Sequence, residues 1–277
     1  MPIRIVQSKQ NARLKELRRA LASPGRLASG LVGIEGPHLL EEALRAGLQL
    51  RCVFADERMQ PWVETLGLPV DTEVLVVPSD LLATTVSTET PQPVAALVEP
   101  PEWNWDQILM ANTGSPALVL VLAGIQDPGN LGTILRSAEA FGATGIICLP
   151  GTVNPWNPKA VRASAGSIFR MPLLSVAEDE VFQHLRHAGV RLLTTAVEGA
   201  QNANSADLAG PVALLIGNEG NGVPAELAAK TDAAVSIPCP GPVESLNAAV
   251  AASVLLYEAS RQRTQKYLQK LAPGGHR

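Results

Sequence analysis

The sequence predicts an α/β protein whose second half is a parallel β-sheet covered by helices on both faces. Three observations carry this. Short, near-continuous apolar runs such as 117-ALVLVLAG-124, 145-GIICLP-150 and 212-VALLIG-217 alternate with helical stretches, as strands do when both of their faces are buried. Several of these runs pass directly into Gly/Pro/Asn-rich loops, the strand-to-helix junctions where α/β folds hold ligands. The 277 residues are 46% hydrophobic and only 17% charged, enough apolar material for one large or two modest domains.

The elements follow in order. Residues 8–23 form an amphipathic helix with Leu14, Leu17 and Leu21 at helical spacing. Strands are expected at 31–35, 50–55, 73–77 and 94–98, with helices at 38–46 and around 61–66 between them. The stretch 99-EPPEWNWDQILMANTGSP-116 breaks this alternation, so the expected division is a domain at 1–100, a linker at 101–116 and a second domain at 117–277. In the second domain, strands are expected at 117–124, 145–150, 191–197, 212–217 and 233–238. Helices fall at 131–142, at 178–189 and from Ser245 onward.

Composition excludes several classes. The longest apolar runs are too short to span a bilayer, and the polar, basic N-terminal segment lacks the apolar stretch of a secretory signal. Cys52, Cys148 and Cys239 lie far apart, which suits a reducing cytoplasm and matches no zinc spacing, so no metal is expected. No histidine stands in the context of a nucleophile elbow, which argues against acyl transfer.

The net charge is −4, but its distribution matters more than its sum. Residues 1–30 hold Arg4, Lys9, Arg13, Lys15, Arg18, Arg19 and Arg26 against Glu16 alone. Beyond Glu258 stand Arg261, Arg263, Lys266, Lys270 and Arg277 with no acid. Such ends are either phosphate-binding surfaces or solvated helix faces.

Three loops could carry chemistry. In 124-GIQDPGNLGTILRSAEAFG-142, Asn130 reads as the N-cap of a helix opening at Leu131. Arg136 lies off the apolar stripe of that helix, as a surface charge or an anion ligand. The glycines fit neither a dinucleotide fingerprint nor a P-loop. In 217-GNEGNG-222, glycines permit close backbone approach, and Glu219 is either a solvated turn residue or a group that holds a hydroxyl, a cation or another loop. In 236-SIPCPGPVESLNAAV-250, prolines stiffen the path and Ser245 reads as a helix cap, with Glu244 and Asn247 beside it.

Together these segments resemble the SpoU class of RNA ribose 2′-O-methyltransferases, the TrmH family of the SPOUT superfamily. DPGNLGTILRSAEAFG, LLIGNEGNGV and IPCPGPVESLNAAVAASVLLYE occur in that family's order and spacing. Ser8, Asn11, Lys15 and 34-IEGPHLLEEALRAG-47 resemble its smaller α/β substrate-binding domain. The resemblance implies a C-terminal parallel-sheet domain with a deep trefoil knot, an exception to the rule that chains do not thread their loops. It implies S-adenosylmethionine as cofactor, contacted at Gly217, Ile237 and Leu246. Asn130, Arg136, Glu219, Ser245 and Asn247 occupy its catalytic motif positions. It further implies a homodimer in which Arg136 acts near the partner's cofactor. Arg136 would either activate the hydroxyl or anchor a phosphate while Glu219 or water takes the proton. The substrate is expected to be 23S rRNA, with tRNA, or a catalytically inactive RNA-binding homologue, as alternatives. Aromatic residues make up only 4%, so RNA contact is expected through phosphates at Arg13, Lys15, Arg18 and Arg19 rather than by base stacking.

Overall fold

The computed structural model describes residues 3–86, 90–109, 114–196, 200–243 and 245–271. The chain divides into two compact units. One comprises Met1–Glu102 with Asn154–Arg170, the other Trp103–Val153 with Met171–Arg277.

The first unit is a five-stranded mixed sheet of β1 (Ile3–Ile5), β2 (Val32–Glu35), β3 (Leu50–Asp56), β4 (Glu73–Val77) and β5 (Val94–Val98), in the order β1-β4-β3-β5-β2. β1, β4 and β3 run parallel, and β5 is antiparallel to β3 and β2. The helix Ala12–Ala22 buries Leu14, Leu17, Ala20 and Leu21, and Asn11 caps it by accepting from the Arg13 and Leu14 amides. Leucine stripe and capping residue together explain why this segment folds as a helix on the sheet.

The second unit carries β6 (Leu118–Leu122), β7 (Gly145–Cys148), β8 (Leu173–Ser175), β9 (Arg191–Thr195), β10 (Gln201–Asn202), β11 (Val212–Ile216) and β12 (Ala233–Ser236). Their order is β10-β12-β9-β11-β6-β7-β8, and every pairing is parallel. β6, β7 and β11 are buried along their whole length, as their unbroken apolar runs require. Helices Pro128–Ala140, Glu178–His187 and Ala248–Leu271 belong to this unit.

Two features depart from the expected division. The supposed linker contains a helix, Trp105–Leu109, whose Ile108 is fully buried. Ile108 packs where a Cβ on Gly145 would stand only 2.7 Å away. Residues 154–170, expected in the second domain, pack within the first unit. There Trp156 stacks on Phe169, Arg26 lies 5.7 Å over the Trp156 ring, and Arg170 donates to Glu42 at 2.6 Å. Apolar and charged contacts distant in sequence hold this excursion in place, and no local composition marks it.

Candidate active site

The carboxyl ends of β6, β11 and β12 carry the loops singled out above, the position where open parallel sheets hold ligands. The loop after β11 turns back at once. Asn218 exchanges both backbone hydrogen bonds with Gly222 (3.0 and 2.9 Å). A Cβ on Gly217 would lie 2.1 Å from the Gly222 carbonyl carbon. Gly222 itself has φ +66°. Both positions therefore require glycine, one for close approach and one for backbone conformation.

The loop after β6 is capped differently from the sequence reading. The helix begins at Pro128, and Asp127, not Asn130, caps it, accepting from the Asn130 amide at 2.8 Å. Asp127 and Pro128 form the standard pairing of an N-cap followed by proline at the first helical position. This frees the Asn130 side chain. Its Nδ2 donates to Glu219 Oε1 at 2.8 Å, and its Oδ1 accepts from Asn247 Nδ2 at 3.1 Å.

Asn247 in turn caps the last helix, its Oδ1 accepting from the amides of Ala249 (2.9 Å) and Val250 (3.3 Å). Ser245 is exposed and lies ahead of the helix start at Ala248, so the cap expected there belongs to Asn247. The amide orientations follow from the chain itself. Helix N–H groups occupy the Asn247 oxygen, so its nitrogen faces Asn130, whose own nitrogen then faces the carboxylate. Burial raises the Glu219 pKa, but donation from Asn130 and from the backbone amides of Glu219, Gln126 and Asp127 outweighs it and holds the carboxyl below its ordinary 4.5. Glu219 is thus an organised anion.

Beside this chain lies a cavity of about 520 Å³, lined by Thr195, Gly217 to Gly222, Val235 to Cys239, Ser245, Leu246 and Leu255 among others. That volume falls within the roughly 300–1,000 Å³ common for small-molecule sites. Gly217, Ile237 and Leu246, the residues implied for cofactor contact, all line it, as do Glu219 and Ser245.

The SpoU rRNA Methylase family model matches residues 117–257, and the MRM3-like substrate binding domain model matches residues 11–96. The chain is 32% identical to the 23S rRNA (guanosine(2553)-2′-O)-methyltransferase RlmP of Bacillus subtilis over 91% of this chain and 97% of that protein. The chain belongs to the SpoU rRNA methylase family. Two solved structures extend the likeness. The AdoMet-bound rRNA methyltransferase from Sinorhizobium meliloti is similar over 94% of this chain and 98% of that one, with a TM-score of 0.81 and 29% identity. The SpoU methyltransferase AviRb from Streptomyces viridochromogenes, in complex with AdoMet, is similar over 92% and 99%, with a TM-score of 0.79 and 32% identity.

In this SpoU chain the remaining motif residue, Arg136, is exposed on the helix Pro128–Ala140. It makes no side-chain hydrogen bond or ion pair to a described residue. It neither lines the cavity nor joins the Glu219–Asn130–Asn247 chain. Glu244 lies outside the described residues.

The basic ends divide in two. Lys15, Arg18 and Arg19 are exposed on the first helix, with Arg18 and Arg19 donating to backbone carbonyls. Arg13 is instead paired with Glu16 (2.9 Å) and Glu73 (3.2 Å), so its charge is largely compensated. Arg263 is no part of a basic surface. It is docked among the carbonyls of Pro116, Ala117, Leu208 and Gly210, and burial lowers its pKa to about 10, which leaves it charged at neutral pH. Arg261 pairs with Glu258 at 2.7 Å, while Lys266 and Lys270 are exposed. Arg277 lies outside the described residues.

The sequence reading missed Thr195 and Asn202 in the cavity wall. The rule that ligands gather at the carboxyl ends of parallel strands could have found Thr195 at the end of β9. Asn202 sits on a two-residue strand with no pattern of its own. Among the described residues no group of three His, Cys, Asp or Glu side chains could hold a metal. No described helix is long and apolar enough to cross a membrane.

Proposed function

We propose that this chain transfers the methyl group of S-adenosylmethionine to a ribose 2′-hydroxyl of 23S rRNA. The carrying observation is a cavity of about 520 Å³ lined by the glycine-rich loop after β11 and the proline-rich loop after β12, with an organised carboxylate–amide chain beside it, in a member of the SpoU family. RlmP is named for 2′-O-methylation of 23S rRNA, and AdoMet is bound in two close structural neighbours. The cofactor supplies an electrophilic methyl group on a sulfonium. Ile216, Val235, Ile237, Leu246 and Leu255 offer it apolar surface, and the loop after β11 offers backbone groups. Gly217, Ile237 and Leu246 are assigned to holding it.

The polar residues are assigned to the RNA side. Glu219, kept anionic well below neutral pH, is a weak base, and its part is to fix Asn130 and, through it, Asn247. Ser245 stands at the cavity edge to meet the ribose. Arg136 anchors the phosphate next to the target nucleotide, a role suited to a planar, permanently charged guanidinium. Orientation then supplies the main acceleration, since a well-aligned reacting pair is worth roughly 7–11 kcal/mol. Lys15, Arg18 and Arg19 contact RNA phosphates from the first unit.

The reading includes the trefoil knot that the family resemblance implies, supported by the match to the SpoU family model and the likeness to SpoU methyltransferase structures. It also includes a homodimer. The helix Ala248–Leu271, tied to the Arg136 helix by the Ser137–Ser253 hydrogen bond, exposes Val250, Val254 and Tyr257. A second copy covering this face would bring Arg136 to the partner's cofactor.

Calorimetry with S-adenosylmethionine, followed by mapping of ribose methylation on rRNA from a deletion strain, tests the reading. Saturable cofactor binding and one 23S ribose left unmethylated are expected. An unchanged rRNA methylation map would sink the assignment.

A further inference from the structure

We propose that Asn218 is a positioning residue that holds the Glu219 loop against the loop after β6. The inference rests on the function proposed above and adds a residue to its machinery. Asn218 Nδ2 donates to the Gly124 carbonyl at 2.7 Å and to Glu219 Oε2 at 3.4 Å. Its Oδ1 accepts from the amides of Gly220 (2.9 Å) and Asn221 (3.3 Å). One half-buried side chain therefore does two jobs. Its oxygen folds its own turn, and its nitrogen reaches a loop 94 positions away in sequence.

Gly124 is a firm anchor for that reach. Its amide donates to Thr152 Oγ1 at 3.1 Å, and that hydroxyl donates to the Leu122 carbonyl at 2.9 Å. Between Gly124 and the Asp127 cap, the Gln126 amide donates to Glu219 Oε2 at 3.4 Å. Glu219 is therefore held from two sides, by Asn218 and Gln126 at one oxygen and by Asn130 at the other. Without the Asn218 nitrogen, the Glu219 loop loses its 2.7 Å tie to the Gly124 carbonyl, and the donations from Gln126 and Asn130 are left to hold it to the segment after β6.

The two jobs separate chemically. Aspartate accepts from the Gly220 and Asn221 amides as asparagine does, because both residues make this side-chain turn. It donates nothing to Gly124 and sets a second acceptor beside Glu219. Asn218→Asp, Asn218→Ala and the wild-type protein would be compared in two ways: turnover at saturating cofactor and RNA, and amide hydrogen exchange over residues 124–130. If the nitrogen is the tie, Asn218→Asp turns over at least about tenfold more slowly, or about 1.4 kcal/mol in barrier. Its KM for RNA stays within about threefold of wild type, and residues 124–130 exchange faster while the melting temperature holds. If Asn218 serves only its own turn, Asn218→Asp behaves like wild type in rate and exchange, and the proposal is overturned. Should Asn218→Asp not fold, Asn218→Ser keeps a turn acceptor but is too short to reach Gly124, and it carries the same comparison. A wild-type protein without turnover would remove the proposed function, while the exchange data would still decide the tie.

Discussion

The loop cluster of the second unit and the basic helix of the first are built on opposite principles. Around the cavity, geometry is set by backbone: Gly217 presses on Gly222, and single side chains bridge loops about ninety to 120 residues apart in sequence. On the helix Ala12–Ala22 the backbone is ordinary, and what distinguishes it is charge projected into solvent from Lys15, Arg18 and Arg19. Substitutions in the loops should therefore act on shape, abruptly and with little dependence on salt. Those on the helix should act through phosphate electrostatics, in graded steps that salt erases.

The sharpest way to break this contrast is Gly217→Ala. The added carbon meets backbone at 2.1 Å, so the loop must move. Overpacking of about 3 kcal/mol corresponds to roughly a hundredfold weaker S-adenosylmethionine binding. Calorimetry that finds the affinity within about threefold of wild type would show that the loop is softer than its geometry indicates.

Next comes Arg136→Ala. An exposed side chain without a partner among the described residues contributes little to stability, so the melting temperature should hold. As the proposed phosphate anchor, Arg136→Ala should cost about 1.5–3 kcal/mol of RNA affinity, roughly ten- to a hundredfold in RNA binding. Arg136→Lys that keeps turnover but weakens RNA affinity identifies a phosphate anchor, whereas a pH–rate profile displaced by that substitution identifies a base.

Replacing Lys15, Arg18 and Arg19 together by Gln should lower the slope of log affinity against log salt by about 2–3. Cofactor affinity should not change. Arg13→Gln should alter the slope least, because Glu16 and Glu73 already compensate that charge. A large effect from Arg13 alone, measured by RNA binding at several salt concentrations, would mean that these ion pairs open on the substrate.

The smallest effect concerns pH. Because the Glu219 carboxyl is depressed in the folded state, the order it contributes is present above its unfolded value of 4.5 and is lost as pH falls through the folded one. Cofactor affinity should therefore be flat from about pH 6 to 8, with the Glu219-dependent loss confined to acid below about 4.5. Glu219→Gln should abolish that acid step. An acid step retained in the Gln variant would assign it elsewhere.

Much of this was legible locally. The long buried strands β6, β7 and β11 announce themselves as apolar runs because both faces are covered. The helix Ala12–Ala22 shows its leucine stripe, and the loop motifs show their glycines and prolines. β1, β8 and β10 were not foreseen, since strands of two or three residues are too short to display a period and form only where a neighbouring edge accepts them. The caps were misplaced for a related reason. Asn130 and Asp127 are both good N-caps by type; Pro128 at the first helical position favours Asp127, and Asn130 is left to bond with partners at positions 219 and 247.

The sequence by itself determined the alternation of strands and helices, the residue types of the three motifs and the charge of the first helix, because these depend on side-chain periodicity and composition within a few residues. Only the tertiary structure decided which of those residues act together. Asn130 became a bridge when Asp127 took the cap. Arg13 was compensated by a glutamate sixty positions away, and Arg263 turned from a surface charge into a half-buried donor to four carbonyls. Hydrogen bonds and ion pairs depend on distances of a few ångströms, and those distances exist only once the sheet has brought its loops together.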